Sequence, residues 1–197
     1  MPKIVDHESQ RVVFAKAVMR ILAREGLEGV TMRAVAKEAG LSYGSLFHYF
    51  GSKEDLLLHA VRYSTNLQGE WIDHITAEHK GLKALEMLLV DDSIVNESSR
   101  DPWMTWLTFT YKAALDERFA KLNAALIQEW LARITELLRQ AKQAGEVPSD
   151  LDLEFEAKAV WAYSAGVGQL GLLHPEALPV TTQRQLIHGY LAKLSAG

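Results

Sequence analysis

A short segment near the amino end constrains the fold most, because it reads as a helix, a tight turn and a second helix. It runs TMRAVAKEAGLSYGSLFHYFGSK over residues 31–53. Val35 and Ala36 give the first helix an apolar face. Gly40 can adopt the left-handed backbone that closes a helix, and Ser42 is a natural N-cap for the next one. The segment therefore predicts a helix-turn-helix.

The second helix of this segment is predicted to have an anchored face and an unusual exposed face. Leu46 and Phe50 are spaced to anchor it, while the other side carries aromatic and hydroxyl side chains. The second helix of a helix-turn-helix enters the DNA major groove with its N-terminal side chains at the base edges. We expect Gly44 to permit close approach and Phe47 to touch thymine methyl groups. The predicted DNA contacts on this helix are Ser42, Tyr43, Gly44, Ser45, Phe47 and His48.

The pattern resembles the N-terminal domain of the TetR family of transcriptional regulators. The matching residues are Thr31, Val35-Ala36, Ala39-Gly40-Leu41-Ser42, Leu46-Phe47-His48-Tyr49-Phe50 and Ser52-Lys53-Glu54-Asp55-Leu56. The resemblance implies about nine helices and adds four expected DNA contacts, which are Thr31, Arg33, Tyr49 and Lys53. The residues alone leave other roles open, namely a helix cap alone for Thr31, a solvated face residue for Arg33 and a core residue for Tyr49.

The charge of the chain is unevenly distributed. The whole chain carries a net charge of -4, but residues 1–53 hold eight Lys or Arg against five acidic residues, so this part is +3 and the remainder is -7. Attraction to phosphate depends on local potential rather than on total charge. A basic end on an acidic body is therefore compatible with DNA binding.

Composition narrows the class of protein. Hydrophobic residues make up 48% of the 197 residues, which is ordinary for a globular protein. The chain has no cysteine, which excludes a disulfide scaffold, a thiol nucleophile and a thiolate zinc site. We see no signal-peptide pattern and no apolar run of about 18 residues. These features predict a soluble, cytoplasmic protein with no membrane partner.

Helical periodicity recurs along the chain and strand signals are nearly absent, so the predicted fold class is all-α. We expect residues 1–53 to form the DNA-binding domain and residues 54–197 to form a helical ligand-binding and dimerisation domain. Gly26 is expected to end the first helix, Asp101 to cap the sixth, and Ser149 or Asp150 to cap the eighth. Outside the helix-turn-helix, the predicted helices cover about residues 9–25, 52–80, 82–91, 103–115, 117–144, 150–174 and 182–194.

A single recognition helix makes too few contacts for tight binding, so we expect a homodimer on a palindromic operator. The last two helices are the best candidates for the interface, because Gly166 and Gly168 permit close helix packing. Glycine within a helix costs about 1 kcal/mol relative to alanine, so a packed interface or a bend must compensate. An intramolecular core helix is the alternative. The predicted interface residues are Phe155, Ala162, Gly166, Leu170, Leu186 and Tyr190.

All five tryptophans lie between residues 71 and 161, which suggests a ligand chamber in the helical body. Tryptophan and tyrosine suit an aromatic or amphipathic molecule, and an aromatic cluster also suits a quaternary ammonium. A plain hydrophobic core with the same spacing remains the alternative. Residues 102–115 are similar to the choline-sensing BetI branch of the family, without fixing a ligand. The predicted pocket residues are Trp71, Trp103, Trp106, Phe109, Thr110, Trp130 and Trp161.

The expected function is a one-component regulator, a repressor that a small molecule releases from its operator. A constitutive DNA-binding regulator without a pocket is the alternative. No nucleophile, phosphate loop or metal motif points to an enzyme, and we expect no cofactor. His74, Glu78 and His79 lie close together in sequence, but a solvated helix face explains them better than a metal site.

Overall fold

The structure is a computed structural model that describes residues 7–196. Over these residues it consists of nine α-helices and contains no strand, which confirms the all-α prediction. The helices are α1 (His7–Gly29), α2 (Met32–Ala39), α3 (Tyr43–Tyr49), α4 (Lys53–Glu78), α5 (Gly81–Ser93), α6 (Arg100–Ala113), α7 (Glu117–Gln143), α8 (Leu153–Leu173) and α9 (Val180–Ala196).

The turn between α2 and α3 has the chemistry expected from the sequence. Thr31 caps α2, because its Oγ1 accepts a hydrogen bond from the Ala34 N–H at 3.1 Å. Gly40 ends α2 with φ 67°, a left-handed conformation that glycine adopts without steric cost. Ser42 caps α3 in the same way as Thr31 caps α2, accepting from the Ser45 N–H at 3.0 Å. Two caps and one glycine thus define the helix-turn-helix.

Three helix ends differ from the sequence prediction. Gly26 does break the helical backbone, with φ 70° and ψ -167°, but α1 continues to Gly29. The prediction that Asp101 caps α6 is wrong, because α6 begins at Arg100. Asn96 causes this, since its side-chain Oδ1 accepts from the backbone N–H groups of Ser98 and Ser99 and closes the preceding loop.

The predicted cap of α8 is also wrong. A turn over residues 148–151, closed by the Leu151 N–H donating to the Pro148 carbonyl, delays the start of the helix. Asp152 therefore caps α8, and its side chain accepts from the N–H groups of Glu154 and Phe155, both at 3.1 Å.

The described chain forms two compact units. The first comprises residues 7–68 and 100–121, and the second comprises residues 69–99 and 122–196. α6 therefore belongs to the same unit as the helix-turn-helix, and α4 contributes residues to both units. The division of the chain after residue 53 remains a prediction about its domains.

In the first unit, α1 packs against α2 and α6. The apolar face of α1 is fully covered, as Phe14, Val18 and Ile21 are buried. Val13 of the same helix, in contrast, is 38% exposed. The core of the helix-turn-helix consists of Val35, Ala36, Leu46 and Phe50.

In the second unit, α5 packs against α8 and α9, and α8 packs against α9. Its hydrophobic core contains Ile72, Ile75, Ala84, Leu85, Leu88, Leu89, Ile134, Leu137, Leu138, Ala157, Val160, Val167, Ile187 and Leu191. None of the helices described for residues 7–196 is both long and apolar enough to span a lipid bilayer.

Candidate nucleic-acid interface and helical body

α3 is anchored on one face and exposed on the other, as the sequence predicted. Leu46 has no exposed surface, and Phe50 at the end of the helix is 4% exposed. In contrast, Tyr43 and Phe47 are 43% and 48% exposed. Their rings meet edge to face with centroids 4.9 Å apart. The outer face of α3 is therefore a paired aromatic surface.

Arg33 of α2 completes this surface. Its guanidinium carbon lies 5.6 Å from the centroid of the Tyr43 ring, within the range of a cation–π interaction. The fold thus brings together Arg33, Tyr43 and Phe47, three predicted DNA contacts that come from two different helices.

The smaller residues around this surface leave it accessible to solvent. Gly44 and His48 are exposed, and a side chain at Gly44 would meet no atom within 4 Å. Ser45 is half-buried. Thr31 and Ser42 are exposed, and because each hydroxyl accepts from its own helix it can still donate its proton outward.

Two other predicted DNA contacts have partners within the protein. The Tyr49 ring is half-buried, with its centroid 5.7 Å from that of Phe14. Lys53 donates from Nζ to the backbone carbonyl of Leu27 at 2.8 Å. Lys53 therefore ties the start of α4 to the end of α1.

Several basic side chains of the first unit also hold helices together. Arg20 donates from Nε to Glu38 at 2.7 Å, and Arg24 lies 3.3 Å from the other oxygen of the same carboxylate. The hydrogen bond from Arg20 lowers the pKa of Glu38, and hydrogen bonds to Glu25 and Glu38 raise the pKa of Arg24. Part of the positive charge near the amino end is thus neutralised by ion pairs between α1 and α2.

Lys37 is a candidate that the sequence reasoning missed. It is exposed and lies one turn beyond Arg33 on α2, and its side chain forms no hydrogen bond or ion pair within residues 7–196. The i, i+4 spacing of Arg33 and Lys37 was the available signal, because it places both cations on one helix face.

The predicted pocket residues are divided between the two compact units. The first unit contains Trp103, Trp106, Phe109 and Thr110. Phe109 is 2% exposed, and its ring centroid lies 5.5 Å from that of Trp106 and 5.9 Å from that of Phe119. Trp103 and Trp106 are half-buried, and the Thr110 hydroxyl donates to the Leu107 carbonyl at 3.0 Å.

The second unit contains Trp71, Trp130 and Trp161, all partly buried against its hydrophobic core. Two buried polar atoms of this unit, Ser93 Oγ and Asn123 Oδ1, have no hydrogen-bond partner in the described chain. Buried polar atoms in native proteins are nearly always paired, so these two need an explanation.

The predicted dimer residues separate into an exposed and a half-buried group. On α8, Phe155 and Leu170 are 68% and 47% exposed, and Ala162 is also exposed. Gly166 has open space around it, since an added Cβ would meet no atom within 4 Å. α8 therefore has an unpartnered apolar face in the single chain.

On α9, by contrast, Leu186 and Tyr190 pack against the core of their own chain. The Tyr190 ring stacks on Tyr163 at 4.6 Å, and its hydroxyl donates to Glu156 at 2.6 Å. Burial, together with this hydrogen bond to Glu156, raises the pKa of Tyr190.

No group of three or more His, Asp or Glu side chains within residues 7–196 is arranged to hold a metal ion. The second helix of this helix-turn-helix is anchored on one face and exposed on the other. DNA-binding proteins with this motif place the exposed face of that helix in the major groove. This fold places the chain in the class of helix-turn-helix transcriptional regulators.

Comparisons with known proteins specify the family. Residues 15–60 match the family described as bacterial regulatory proteins, tetR family, and residues 83–196 match the C-terminal region of BetI-type transcriptional repressors. The chain belongs to the TetR family of transcriptional regulators, with a BetI-type C-terminal region. The resemblance read from residues 31–56 is confirmed.

Relatives match over nearly the full length. The HTH-type transcriptional regulator PksA of Bacillus subtilis (strain 168) is 28% identical over 178 residues, which cover 89% of this chain and 84% of the relative. The HTH-type transcriptional regulator BetI of Vibrio parahaemolyticus is 28% identical over 203 residues, covering 98% and 96% of the two chains. A solved structure of a transcriptional regulator from Saccharomonospora viridis in complex with choline has a similar fold, with a TM-score of 0.85, 22% identity and coverage of 94% of this chain and 96% of that one.

Proposed function

We propose that this chain is a repressor that binds a palindromic operator as a homodimer and is released by a small-molecule effector. The observation that carries the proposal is the outward-facing surface of α3, where two exposed aromatic rings lie on a helix whose other face is completely buried. In a TetR-family chain this surface is the part that meets base edges.

The proposed DNA contacts follow from the geometry. Arg33, Tyr43 and Phe47 form the central surface, with Thr31, Ser42, Gly44, Ser45 and His48 around it. We also keep Tyr49 and Lys53 in the proposed set, although both have partners within the protein.

The exposed face of α8 supports the homodimer. Phe155 and Leu170 are large apolar residues left in solvent by the single chain, and Gly166 leaves room for the backbone of another helix. Apolar patches of this kind on a helix commonly mark protein interfaces. A two-fold pair would then place one α3 on each half of the operator.

The effector proposal rests on three features of the helical body. The tryptophans are half-buried, and two buried polar atoms have no hydrogen-bond partner in the described chain. In addition, a protein of similar fold was solved in complex with choline. An amphipathic or aromatic molecule, including a quaternary ammonium, would use the rings for its apolar part and a hydrogen bond for its polar part. Within the second unit we propose Trp71, Trp130 and Trp161 as effector contacts, and within the first unit Trp103, Trp106, Phe109 and Thr110.

The test of DNA binding begins with a duplex selected from a random pool by the full chain. Tyr43→Ala should lower affinity for this duplex at least tenfold while the variant remains folded. Tyr111→Ala is the matched control, because Tyr111 is another exposed tyrosine of the same unit, at 62% exposure, and lies on α6. Equal affinity of the two variants would contradict the assignment of α3.

A constitutive regulator with no pocket is the second candidate, and thermal-shift measurements separate the two. An effector raises the melting temperature further as its concentration exceeds its dissociation constant, whereas a body without a cavity responds to no small molecule. Choline and tetramethylammonium are suitable first probes, followed by planar aromatic cations. In either case we propose a cytoplasmic regulator without catalytic activity or cofactor.

A further inference from the structure

The side chains available on α3 restrict how this chain can read DNA. Bidentate recognition of guanine uses Arg or Lys, and bidentate recognition of adenine uses Asn or Gln. Residues 41–52 contain none of these four residue types. The exposed face of α3 therefore offers hydroxyl groups, one imidazole and two aromatic rings.

Apolar contact is the reading chemistry that this surface favours most. Tyr43 and Phe47 lie one turn apart, both nearly half exposed, and their edge-to-face contact fixes the two rings relative to each other. In the major groove, the one apolar group that distinguishes a base is the 5-methyl group of thymine. A rigid pair of rings on the helix surface suits this group.

Arg33 holds the pair in place. Its guanidinium lies over the Tyr43 ring and has no hydrogen bond or ion pair within residues 7–196. Arg20 and Arg24, in contrast, are both bound to Glu38. The contact that distinguishes Arg33 from these two arginines is therefore its contact with the ring.

We infer that the Tyr43–Phe47 pair recognises thymine methyl groups in each half of the operator, and that Arg33 is a positioning residue for Tyr43. The inference rests on the proposed function, because it specifies how the same α3 surface selects its sequence. Operators of this protein should accordingly carry thymine at one or two fixed positions of each half-site.

The test replaces thymidine by deoxyuridine, one position at a time, in the duplex selected by the full chain. This change removes the methyl group and leaves the pairing and hydrogen-bonding groups intact. We expect about a fourfold loss of affinity at each contacted position, the value for one buried methyl group. We call this loss of affinity the deoxyuridine effect. In each of the variants Phe47→Ala and Tyr43→Ala, it should disappear at the position that the removed ring contacts.

Tyr43→Phe separates the ring from its hydroxyl, and should retain the full deoxyuridine effect. If the phenylalanine variant loses this effect as completely as the alanine variant does, the ring is not the reader and the inference is overturned.

The role of Arg33 needs a readout that a direct phosphate contact would not give. Loss of a phosphate contact lowers the slope of log affinity against log salt by about one. Arg33→Gln should in addition weaken the deoxyuridine effect at the position contacted by Tyr43, which loss of a phosphate contact alone would leave unchanged. Lys37→Gln, one turn away on the same helix, is the control and should leave the deoxyuridine effect unchanged.

The possible failures are distinguishable. If no sequence is enriched from the random pool, the proposed function fails and this inference fails with it. If a sequence is enriched and bound tightly, but no deoxyuridine position changes affinity by as much as twofold, the inference alone is overturned.

Discussion

Single side chains hold the helix-turn-helix to its neighbours, and His59 is one of them. It is half-buried on α4, with its Nε2 3.1 Å from the Arg11 carbonyl and its ring 5.1 Å from Phe50. Burial lowers the pKa of His59, and the nearby charges of Arg11 and Arg62 act in the same direction, while the hydrogen bond to the Arg11 carbonyl and the charge of Glu8 oppose it.

We predict that His59 makes the free energy of unfolding depend on pH. Because its pKa is lower in the folded state, the unfolded chain binds more protons, and stability falls as pH decreases from about 7 through the folded-state pKa. Urea unfolding between about pH 7.5 and pH 5 should show a smaller decrease for His59→Gln than for the unaltered protein. His74, which is exposed on the same helix, supplies the control, and His74→Gln should keep the full decrease. Identical pH profiles for the His59 variant and the unaltered protein would contradict the assignment.

The caps of the helix-turn-helix were predictable from single residues, because an N-cap or a left-handed glycine needs only local chemistry. Thr31, Gly40 and Ser42 all take the expected roles. The position of Lys53 was not predictable in this way. Its hydrogen bond joins residues 26 positions apart, and no local pattern shows that the carbonyl of Leu27 is within its reach.

At the scale of helices, one buried polar side chain of α9 binds the segment after α5 and packs against α8. Gln183 is 1% exposed, accepts from the Val95 N–H at 2.8 Å and donates to the Leu178 carbonyl at 2.8 Å. Gly171 of α8 leaves the space that this side chain fills, since an added Cβ would lie 2.5 Å from Gln183 Nε2.

Two glycines of α8 should therefore respond oppositely to alanine. Gly171→Ala forces Gln183 to move and should lower the free energy of unfolding by about 1–3 kcal/mol. Gly166→Ala meets no atom of its own chain and should stabilise the protomer by up to about 1 kcal/mol through helix propensity. Chemical denaturation of both variants, at concentrations low enough for the protein to be monomeric, measures the difference. A Gly171→Ala variant as stable as Gly166→Ala would show that Gln183 does not fix the packing.

The sequence predicted the existence and order of the helices better than their ends and buried faces. The N-cap pattern of Asp101 before Pro102 was misleading, because the side chain of Asn96 ends the previous loop early enough for α6 to start at Arg100. α6 is rich in apolar and aromatic residues, yet Tyr111 on it is 62% exposed. Periodicity shows which residues are apolar, but only the packing partners decide how many faces of a helix are covered.

The whole molecule is proposed to act as a two-fold dimer, and Phe155 allows a direct test. A carboxylate at this exposed position of α8 would be desolvated in a helix–helix interface, so Phe155→Glu should shift the protein from dimer to monomer and reduce operator affinity. Sedimentation velocity measures the first effect and gel shift the second. Leu115→Glu is the matched control, because Leu115 is 70% exposed in the turn between α6 and α7. A dimeric Phe155→Glu variant would remove α8 from the proposed interface.

Communication between effector and operator is proposed to pass along α4, whose residues belong to both compact units. The division between the units falls at Gly69, which continues the helix and has no atom within 4 Å of an added Cβ. Gly69→Ala should therefore stabilise α4 by up to about 1 kcal/mol without a steric conflict.

If α4 transmits effector binding as a rigid helix, the ratio of operator affinities without and with effector should be at least as large in this variant as in the unaltered protein. The logarithm of this ratio, multiplied by RT, is the coupling free energy, which is typically about 1–3 kcal/mol in allosteric proteins. Titration of operator at saturating and zero effector gives it directly, and a loss of the coupling in Gly69→Ala would show instead that α4 works by bending at this residue.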